Sequence, residues 1–325
     1  MQSPLRIAIV GLGRIAAAHV AALERADGVE VVAGADPDPA ARLAFRGRDL
    51  PVARDAAGLP PVDAAVVTVP TVAHLAVLRD LAAAGVPEVL MEKPLVATRE
   101  ELELLDDARG GARVWPLLHF ALADEVRWAA ERIGAWTSAH GPVAEVLGLF
   151  QDPYLPHLGE RLRSLSSSWL DSGVNALSVA ARLAPLGAVR AARPLGEPAG
   201  TGAAVELDLD GGGTAAVVTS WHARRTSKGT HLRLADGARV LIDHTAGSGL
   251  LMAPGGGPGE RFLPADDGLD SMTSHYVAVY ADWRAHRGDA DARLDAGCDL
   301  VARVLDAQEM LEAATPGPAG ERSGR

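Results

Sequence analysis

The fold is decided near the start of the chain by the stretch Leu5-Arg6-Ile7-Ala8-Ile9-Val10-Gly11-Leu12-Gly13-Arg14-Ile15-Ala16. Its first half is an apolar run typical of a buried strand, and its second half fits the pattern Gly-x-Gly-x-x-Gly/Ala. In that pattern the first glycine permits a tight turn, the second lets backbone amides approach a pyrophosphate, and the small third residue lets a helix pack closely. The candidate phosphate-binding residues are Gly11, Gly13, Arg14 and Ile15.

The position of this motif carries more weight than the match itself. The chain holds 35 glycines and is rich in alanine, so an accidental match somewhere is expected. Here, however, the motif lies directly after the first predicted strand and opens a helix predicted over 14–26. We therefore favour phosphate binding over an ordinary strand–helix turn.

An acidic residue, Asp36, closes the second predicted strand, Val29 to Ala35. In this position a carboxylate can accept hydrogen bonds from both adenosine ribose hydroxyls, and it would repel a 2′-phosphate. Asp36 thus favours NAD over NADP as the cofactor. NADP stays open because Arg42 is close in sequence, and the alternative for Asp36 itself is a helix-start loop.

Strand and helix patterns alternate through the first third of the chain. Apolar runs at 63–69, 86–91 and 112–119 are separated by helical patterns, which predicts βαβ units and a parallel sheet, and a further helix is predicted at 99–108. After about residue 135, short strand patterns divided by glycine-rich turns predict an antiparallel sheet, and helices are predicted at 168–183 and 270–286. The sequence therefore predicts an α/β protein. A doubly wound, Rossmann-type parallel sheet occupies 1–120, an α+β domain with a large open, mainly antiparallel sheet occupies 121–315, and a disordered tail occupies 316–325.

Composition excludes several classes of protein. The chain has 325 residues, a formal net charge of −11 and one cysteine. The acidic balance argues against nucleic acid as a partner, and a single cysteine suits a reducing compartment. The longest uncharged apolar run, 64–78, is too short to span a bilayer, and the start lacks a signal-peptide pattern. We expect a cytoplasmic protein with no membrane partner.

The lysines of this chain are rare enough to be informative. Of 31 basic residues only Lys93 and Lys228 are lysines. Lys93 lies in Glu92-Lys93-Pro94, where the predicted strand 86–91 ends and where ligands bind in open α/β sheets. Its ammonium group can there stabilise a developing alkoxide, the alternative being a surface lysine beside a glutamate. Lys228 is predicted to be a solvated loop lysine.

Three groups of residues together resemble the Gfo/Idh/MocA oxidoreductases, NAD(P)-dependent sugar and cyclitol dehydrogenases related to glucose–fructose oxidoreductase and inositol dehydrogenase. They are Ile9-Val10-Gly11-Leu12-Gly13 with His19, Val67-Thr68-Val69-Pro70 with His74, and Val89-Leu90-Met91-Glu92-Lys93-Pro94. The resemblance implies a Rossmann domain, a second domain whose open sheet supports the active site, and a homodimer or homotetramer. It extends the cofactor-binding residues to Val69, Pro70, His74, Glu92 and Lys93.

A second motif, Asp171-Ser172-Gly173-Val174-Asn175, departs from the usual family pattern. The i, i+4 spacing puts Asp171 and Asn175 on one helix face, and the serines at 166–168 can cap that helix. Much of the family has histidine in place of Asn175, whose amide has no titratable proton near neutrality. The motif is similar to that of the aldose 1-dehydrogenases acting on L-arabinose and D-galactose. That resemblance assigns Lys93, Asp171 and Asn175 to catalysis, and an inactive or repurposed site is the alternative.

Three further residues are candidates for contact with the substrate. His119 ends the predicted strand 112–119, beside the expected nicotinamide, and a structural histidine is the alternative. Asp152 and His157 follow the first strand of the second domain and match an acidic residue and a histidine of that branch only loosely. No His, Cys, Asp and Glu cluster has metal-ligand spacing, so no metal is expected.

These features predict an enzyme that transfers a hydride between a sugar or polyol and NAD. The favoured reaction is that of an aldose 1-dehydrogenase, which gives a lactone. Two alternatives stay open. One is a ketoreductase of a nucleotide-linked sugar in a biosynthetic pathway, for which Tyr154 is the only tyrosine nearby in sequence to donate a proton. The other is a non-catalytic sugar or dinucleotide sensor on the same fold.

Overall fold

The computed structural model describes residues 3–45, 50–159, 167–265 and 268–315. The chain divides into two compact units. The first takes residues up to Arg127 together with Ala265–Ala302, and the second takes Trp128–Pro264 and the chain from Arg303 onward. The sequence predicts a domain boundary at residue 120 and does not predict that a later segment belongs to the first unit. That boundary stays a prediction. The predicted tail at 316–325 and the capping residue Ser166 lie outside the described residues.

Six strands form the sheet of the first unit: β1 (Leu5–Val10), β2 (Val29–Ala35), β3 (Val52–Ala53), β4 (Ala64–Val67), β5 (Glu88–Glu92) and β6 (Arg113–Leu117). Their order across the sheet is β3-β2-β1-β4-β5-β6, and every neighbouring pair is parallel. The order steps outward from β1 in both directions, as in doubly wound sheets. This confirms the predicted N-terminal fold, including the predicted bounds of β1 and β2.

The helices, in chain order, are α1 (Ala16–Leu23), α2 (Pro39–Phe45), α3 (His74–Ala83), α4 (Arg99–Glu103), α5 (Leu105–Arg109), α6 (Asp124–His140), α7 (Val174–Leu183), α8 (Ser271–Ala285) and α9 (Ala290–Ala314). None of those that lie in the described ranges is long and apolar enough to cross a membrane. The helix predicted at 99–108 is divided in two between α4 and α5.

Helix α8 completes the core of the first unit although it lies late in the chain. Its buried residues Tyr276, Val279, Tyr280 and Trp283 follow the i, i+3, i+4 spacing of one helix face. They belong to the same hydrophobic cluster as Ile7 and Ile9 of β1. A helix from late in the chain therefore belongs to the core around the central strand of the first unit. The sequence pattern predicts this helix but not the sheet against which it packs.

Eight strands form the sheet of the second unit: β7 (Val143–Gln151), β8 (Leu186–Pro194), β9 (Gly202–Leu209), β10 (Thr214–Ser220), β11 (Ser227–Leu234), β12 (Arg239–Asp243), β13 (Ser248–Met252) and β14 (Pro258–Phe262). Their order is β14-β13-β12-β11-β7-β10-β9-β8. Among the described strands of this sheet, only the pair β7 and β10 is parallel, and the other pairs are antiparallel. The predicted open, mainly antiparallel sheet is confirmed.

Helix α7 lies over β7 in this unit. A Cβ atom built on Gly148 of β7 would lie 3.6 Å from the Cβ of Ala176, so a glycine lets helix and strand approach closely. The helix is preceded by a π-helical turn, Trp169–Gly173, which contains Asp171. The predicted helix over 168–183 thus begins with wider winding, a feature that often marks functional sites.

Candidate functional site

The glycine turn joins β1 to α1 with the geometry that its motif predicts. Gly11 has φ +95°, and a Cβ atom built there would lie 2.7 Å from the backbone nitrogen of Val69. No other residue type fits that conformation and that space. The Gly11 amide donates to the carbonyl oxygen of Ala35 at 2.8 Å, and the Thr68 amide donates to that of Val10 at 2.8 Å. The turn is therefore fixed between the neighbouring strands β2 and β4.

The space in front of Gly13 is open. A Cβ atom built on Gly13 would meet no heavy atom within 4 Å. Arg14 and Ile15 follow, and α1 begins at Ala16, so the amino end of the helix lies beside this space. Backbone amides and the helix dipole at such an end favour an anion. The local geometry therefore fits the pyrophosphate of a dinucleotide.

The carboxylate of Asp36 is fixed at the end of β2. Its Oδ2 atom accepts a hydrogen bond from the Leu12 amide at 2.7 Å, and Oδ1 accepts one from the Asp38 amide at 2.7 Å. Each carboxylate oxygen keeps a further lone pair for a ribose hydroxyl. Arg42 directs Nη1 to the carbonyl oxygens of Asp36 and Pro37, at 2.7 and 2.8 Å. The guanidinium group that could favour NADP is thus bound to the backbone.

His74, a predicted cofactor-binding residue, is buried and connects two loops. Its Nε2 atom lies 3.1 Å from the carbonyl oxygen of Val69, and Nδ1 lies 3.2 Å from that of Leu95. Burial lowers the pKa of the imidazole and so favours the neutral ring, which has one N–H group and donates to one of these two carbonyl oxygens. The ring lies between Val69 and the segment that follows Lys93.

Glu92 lies in a buried polar cluster. Its Oε1 atom accepts hydrogen bonds from Nε2 of His19 at 3.0 Å and from the hydroxyl of Tyr276. Its Oε2 atom accepts the backbone amide of Lys93 at 3.1 Å. The other ring nitrogen of His19, Nδ1, lies 2.7 Å from the hydroxyl of Tyr280. The carboxylate thus connects α1, α8 and the backbone of Lys93.

The charge of Glu92 is set by its hydrogen-bond donors. Burial alone would raise the pKa of this carboxyl, but the hydrogen bond from His19 and nearby positive charge lower it to about 2. The carboxylate is therefore ionised at neutral pH and only accepts hydrogen bonds. Nε2 of His19 is therefore the donor in its hydrogen bond with this carboxylate.

His119 follows β6 and packs inside the first unit. Its Nδ1 atom lies 3.3 Å from Nδ1 of His275, and its ring contacts Phe120 and Tyr276 at centroid distances of 4.7 and 5.1 Å. Two nitrogens at this distance share one proton, so one ring must be the donor. The residue is buried at the carboxyl end of the sheet.

In the second unit one edge of the sheet gathers most of the predicted substrate-side residues. Gln151 pairs with Ser220 of the parallel strand β10 and with Ser227 of the antiparallel strand β11. The Asp152 amide donates to the carbonyl oxygen of Ser220 at 2.8 Å. The ends of β7 and β10 and the start of β11 therefore meet at Asp152.

At this edge Lys228, which is partly buried, forms an ion pair with the buried Asp152. Nζ of Lys228 lies 3.1 Å from Oδ2 of Asp152, and the side chains are 16% and 3% exposed. The hydroxyl of Thr226 donates to Oδ1 at 3.2 Å. The prediction that Lys228 is a solvated loop lysine is wrong, because the residue lies on β11 and the carboxylate draws its side chain inward.

The turn that holds Asp171 starts at the same edge. The hydroxyls of Ser168 and Thr219 of β10 lie 3.1 Å apart, and Ser167 Oγ accepts the Leu170 amide at 3.1 Å. This capping by a serine was predicted. Asp171 lies within the π-helical turn, half-buried.

Asn175 lies in the first turn of α7 and is 4% exposed. Among the described residues its Oδ1 atom has no hydrogen-bond partner, an arrangement that calls for a ligand or a water molecule. Gly173 makes room for an indole ring, since a Cβ atom there would lie 2.6 Å from Trp169. His157 lies exposed on the turn Leu155–His157, next to the same strand end.

The structure brings the predicted residues together in two groups. In the first unit the glycine turn, Asp36 and the loops after β4 and β5 lie along the carboxyl edge of the parallel sheet. In the second unit Asp152 lies at the sheet edge where the segment with Asp171 starts. Sequence reasoning missed Tyr276, Tyr280 and Lys228, and the one available signal was the apolar spacing around the two tyrosines. No cluster of His, Cys, Asp or Glu within the described ranges could hold a metal ion.

Comparison with known proteins agrees with this geometry. Residues 5–111 match the family model of the GFO_IDH_MocA oxidoreductases, described as an NAD-binding Rossmann fold. A segment of 99 residues, 30% of this chain, is 36% identical to the rhizopine catabolism protein MocA of Rhizobium meliloti. The match spans 31% of that relative's length.

Two solved structures share the fold over nearly the whole chain. An oxidoreductase from Agrobacterium radiobacter, in complex with NAD+, L-tartaric acid and magnesium, superposes with a TM-score of 0.79 at 16% identity, covering 96% of this chain and 98% of that one. An inositol dehydrogenase homolog from Azotobacter vinelandii, complexed with NADH and myo-inositol, gives 0.78 at 20% identity, covering 96% and 97%. Identities this low show the fold alone. Together with the glycine turn and Asp36, the match over residues 5–111 to the model of the Gfo/Idh/MocA oxidoreductases shows an NAD-binding Rossmann fold in this part of the chain.

Proposed function

We propose that the protein is an NAD-linked dehydrogenase that oxidises a CH–OH group of a sugar or polyol. The favoured reaction is oxidation of an aldose at its anomeric carbon, which gives a lactone. The supporting observation is the place of Lys93, which follows β5 at the sheet edge that also carries the glycine turn. A cationic donor beside a dinucleotide turn suits the removal of hydride from an alcohol.

The residues of this chain divide the chemistry between them. NAD supplies the hydride acceptor when bound. Asp171 takes the hydroxyl proton as the hydride leaves the carbon, and the C=O bond forms. Lys93 and the Asn175 amide donate hydrogen bonds to the oxygen. Because an anomeric hydroxyl is more acidic than an ordinary alcohol, a carboxylate suffices as base where relatives use histidine.

The remaining hydroxyl groups of the substrate would be bound by His119, Asp152 and His157. Buried polar groups with fixed partners, such as Asp152, suit the recognition of hydroxyls because their geometry is set before the ligand arrives. The inositol dehydrogenase homolog with the same fold is complexed with NADH and myo-inositol, which supports a polyhydroxylated substrate for this chain too.

The test is a screen of NAD and NADP reduction over free aldoses, inositols and nucleotide-linked sugars, with Lys93→Ala and Asp171→Ala beside the parent. We expect the parent to reduce NAD with an aldose and each variant to lose about 100-fold or more in kcat/KM. The NADH affinity of Asp171→Ala, measured by fluorescence, should stay within about threefold of the parent because Asp171 is not among the proposed cofactor-binding residues.

Other outcomes of the screen contradict parts of this proposal. Full activity of Asp171→Ala would remove Asp171 from the site, and a preference for NADP would contradict the role of Asp36. A parent that binds NADH and oxidises no sugar would make the protein a sensor.

A ketoreductase of nucleotide-linked sugars is the second candidate. It is favoured by Tyr154, whose ring lies 6.0 Å from that of Trp221 at the same sheet edge as Asp152. A tyrosine hydroxyl there could donate the proton that a reduction requires. Turnover of nucleotide-linked ketosugars with NADH, abolished in Tyr154→Phe and absent with free aldoses, would establish this reaction instead.

A further inference from the structure

We propose that Lys228 is a specificity-determining residue. Together with Asp152 it would form a donor–acceptor pair that binds neighbouring hydroxyl groups of a neutral polyhydroxylated substrate and disfavours an acidic one. The inference rests on the proposed function, since it names the chemical class of substrate that the same site would select.

The first argument is the burial of the charge. Only one other lysine exists in the chain, and the side chain of Lys228 is 16% exposed although it lies on a strand that reaches the sheet edge. Its carboxylate partner is 3% exposed. Removing two charges from water costs free energy that an apolar pair would not cost, so such a pair is weak evidence of a stabilising role. A paired lysine and carboxylate withdrawn from water at a sheet edge therefore suits a binding role better than a structural one.

The second argument is that the Asp152 carboxylate is incompletely hydrogen-bonded. Thr226 occupies one lone pair of Asp152 Oδ1. Oδ2 is in ionic contact with Nζ, yet among the described residues it accepts no hydrogen bond of good geometry. A buried carboxylate oxygen in this condition has room for a hydroxyl donor.

The third argument is location. The Asp152 amide is bonded to the carbonyl oxygen of Ser220, the last residue of β10. The residue before it on that strand, Thr219, is in contact with Ser168, where the segment that carries Asp171 begins. Lys228 and Asp152 therefore lie at the strand ends from which the proposed base also extends.

The chemistry of the pair defines the ligand that it fits. A hydroxyl group can accept a hydrogen bond from the ammonium group and donate one to the carboxylate, so a vicinal diol satisfies both partners at once. A carboxylate on the substrate would gain the ammonium but meet the negative charge of Asp152. The pair is neutral overall, and a neutral polyol is therefore its best ligand.

The first experiment measures kcat and KM on the neutral substrates that the parent oxidises. Lys228→Met keeps most of the side-chain length and removes the charge, and we expect KM to rise about 30-fold with kcat within about threefold. The matched control is Arg233→Met, which removes a cation from the same strand, where Arg233 pairs with the exposed Glu145. Its KM should stay within about twofold. An unchanged KM in Lys228→Met overturns the proposal.

The second variant tests the sign of the charge effect. Asp152→Asn keeps the shape of the side chain and leaves the ammonium group uncompensated. We expect the ratio of kcat/KM for a uronic acid to that for the matching neutral aldose to rise about tenfold or more. A ratio that stays constant or falls contradicts recognition by the pair.

The third measurement needs neither turnover nor a change at Lys228. Lys93 and Lys228 are the only lysines, so the parent grown on lysine labelled with 13C at Cε gives two lysine signals, and Lys93→Arg, which keeps Lys228 alone, assigns the Lys228 signal. In the parent we expect D-galactose or myo-inositol, added with NADH, to shift the Lys228 signal. Addition of buffer without sugar should leave that signal unchanged. If the sugar shifts the Lys228 signal but the parent oxidises no sugar, the proposed function is refuted and this inference is kept. An active parent whose Lys228 signal is unmoved by its own substrate would refute the inference alone.

Discussion

The two glycines of the first turn serve different purposes, although the motif treats them alike. Gly11 has a backbone conformation and a contact with Val69 that admit no side chain, whereas Gly13 faces open space. The first is therefore needed for the fold and the second for the ligand. Substitution by alanine separates these purposes.

We expect Gly11→Ala to destabilise the protein by about 1–3 kcal/mol, because the new methyl group meets the Val69 backbone in a strained conformation. Gly13→Ala should leave the melting temperature nearly unchanged and weaken NADH binding about 100-fold, since its methyl group occupies phosphate space. Thermal unfolding and NADH fluorescence titration measure the two effects. Equal NADH affinity in the parent and Gly13→Ala would contradict the assignment of the open space.

The buried Glu92 carboxylate makes stability depend on pH in a defined direction. Its pKa is about 2 in the folded protein against an ordinary value of 4.5, so the unfolded chain binds the proton more tightly. The resulting stabilisation is fully present above about pH 4.5 and is lost as the pH falls through about 2. The difference corresponds to about 3 kcal/mol.

Urea unfolding of the parent should therefore lose about 3 kcal/mol more than Glu92→Gln does between about pH 5 and pH 2. Glu103→Gln, which changes an exposed glutamate on α4, is the control and should follow the parent. Parallel pH profiles of the parent and Glu92→Gln would show that the cluster around Glu92 does not hold the carboxylate ionised.

At the residue scale the sequence predicts what is local. Gly11, Gly13 and Asp36 lie within one strand–helix–strand unit, and the spacing of that unit fixes their relation. The hydrogen bond from Tyr276 to Glu92 spans 184 positions, and no local pattern connects such distant residues. The place of Lys228 was not predicted for the same reason, because its carboxylate partner Asp152 directly follows a strand distant in sequence, β7.

The position of helix α8 in the fold could not be predicted, although the helix itself was. The sequence predicts a helix at 270–286 and the structure has Ser271–Ala285, yet the apolar spacing does not tell which sheet the helix covers. Strands β13 and β14 were missed altogether, because they are five residues long and lie among glycines and prolines that read as loop.

A second buried glutamate binds α8 to the first sheet. Glu88 of β5 accepts hydrogen bonds from Arg113, from Arg287 and from the indole nitrogen of Trp283 at 2.9 Å. Burial opposes its ionisation, but these donors hold the pKa of the carboxyl below its ordinary value. The helix thus supplies hydrogen-bond donors as well as apolar surface.

We expect Trp283→Phe to lower the free energy of unfolding by about 1–3 kcal/mol, because a buried carboxylate loses one donor and the smaller ring leaves a cavity. Ala281→Ser, an exposed change on the same helix, should alter stability by less than about 0.5 kcal/mol. Urea denaturation measures both. If both variants matched the parent, the indole contact would contribute nothing to holding α8.

At the scale of the whole molecule, the face of the second sheet that lies opposite α7 is partly apolar. Along β7 the residues Val146, Gly148 and Phe150 are buried, while Leu147 between them is 36% exposed and pairs with Ala216 and His231. Alternation of this kind is typical of a sheet with one covered face. The predicted homodimer or homotetramer would cover the other face.

Light scattering on the eluted protein should give a mass of two or four chains, and Leu147→Glu should shift it toward one, because a charge would then be buried between sheets. Glu145→Gln, two residues away on the same face, is the control and should keep the parent mass. A parent that elutes as a single chain refutes the predicted assembly.

The return of Ala265–Ala302 to the first unit has a consequence for synthesis. A unit that begins the chain is usually the first to fold as it leaves the ribosome. Here Glu88, Glu92 and His19 emerge early, but the tyrosines, tryptophan and arginine that satisfy them are translated about 180 residues or more later. The nucleotide-binding unit therefore becomes complete only after the segment up to residue 302 has been translated, and a nascent chain stalled before residue 271 would carry two acidic side chains that lack several of their hydrogen-bond donors.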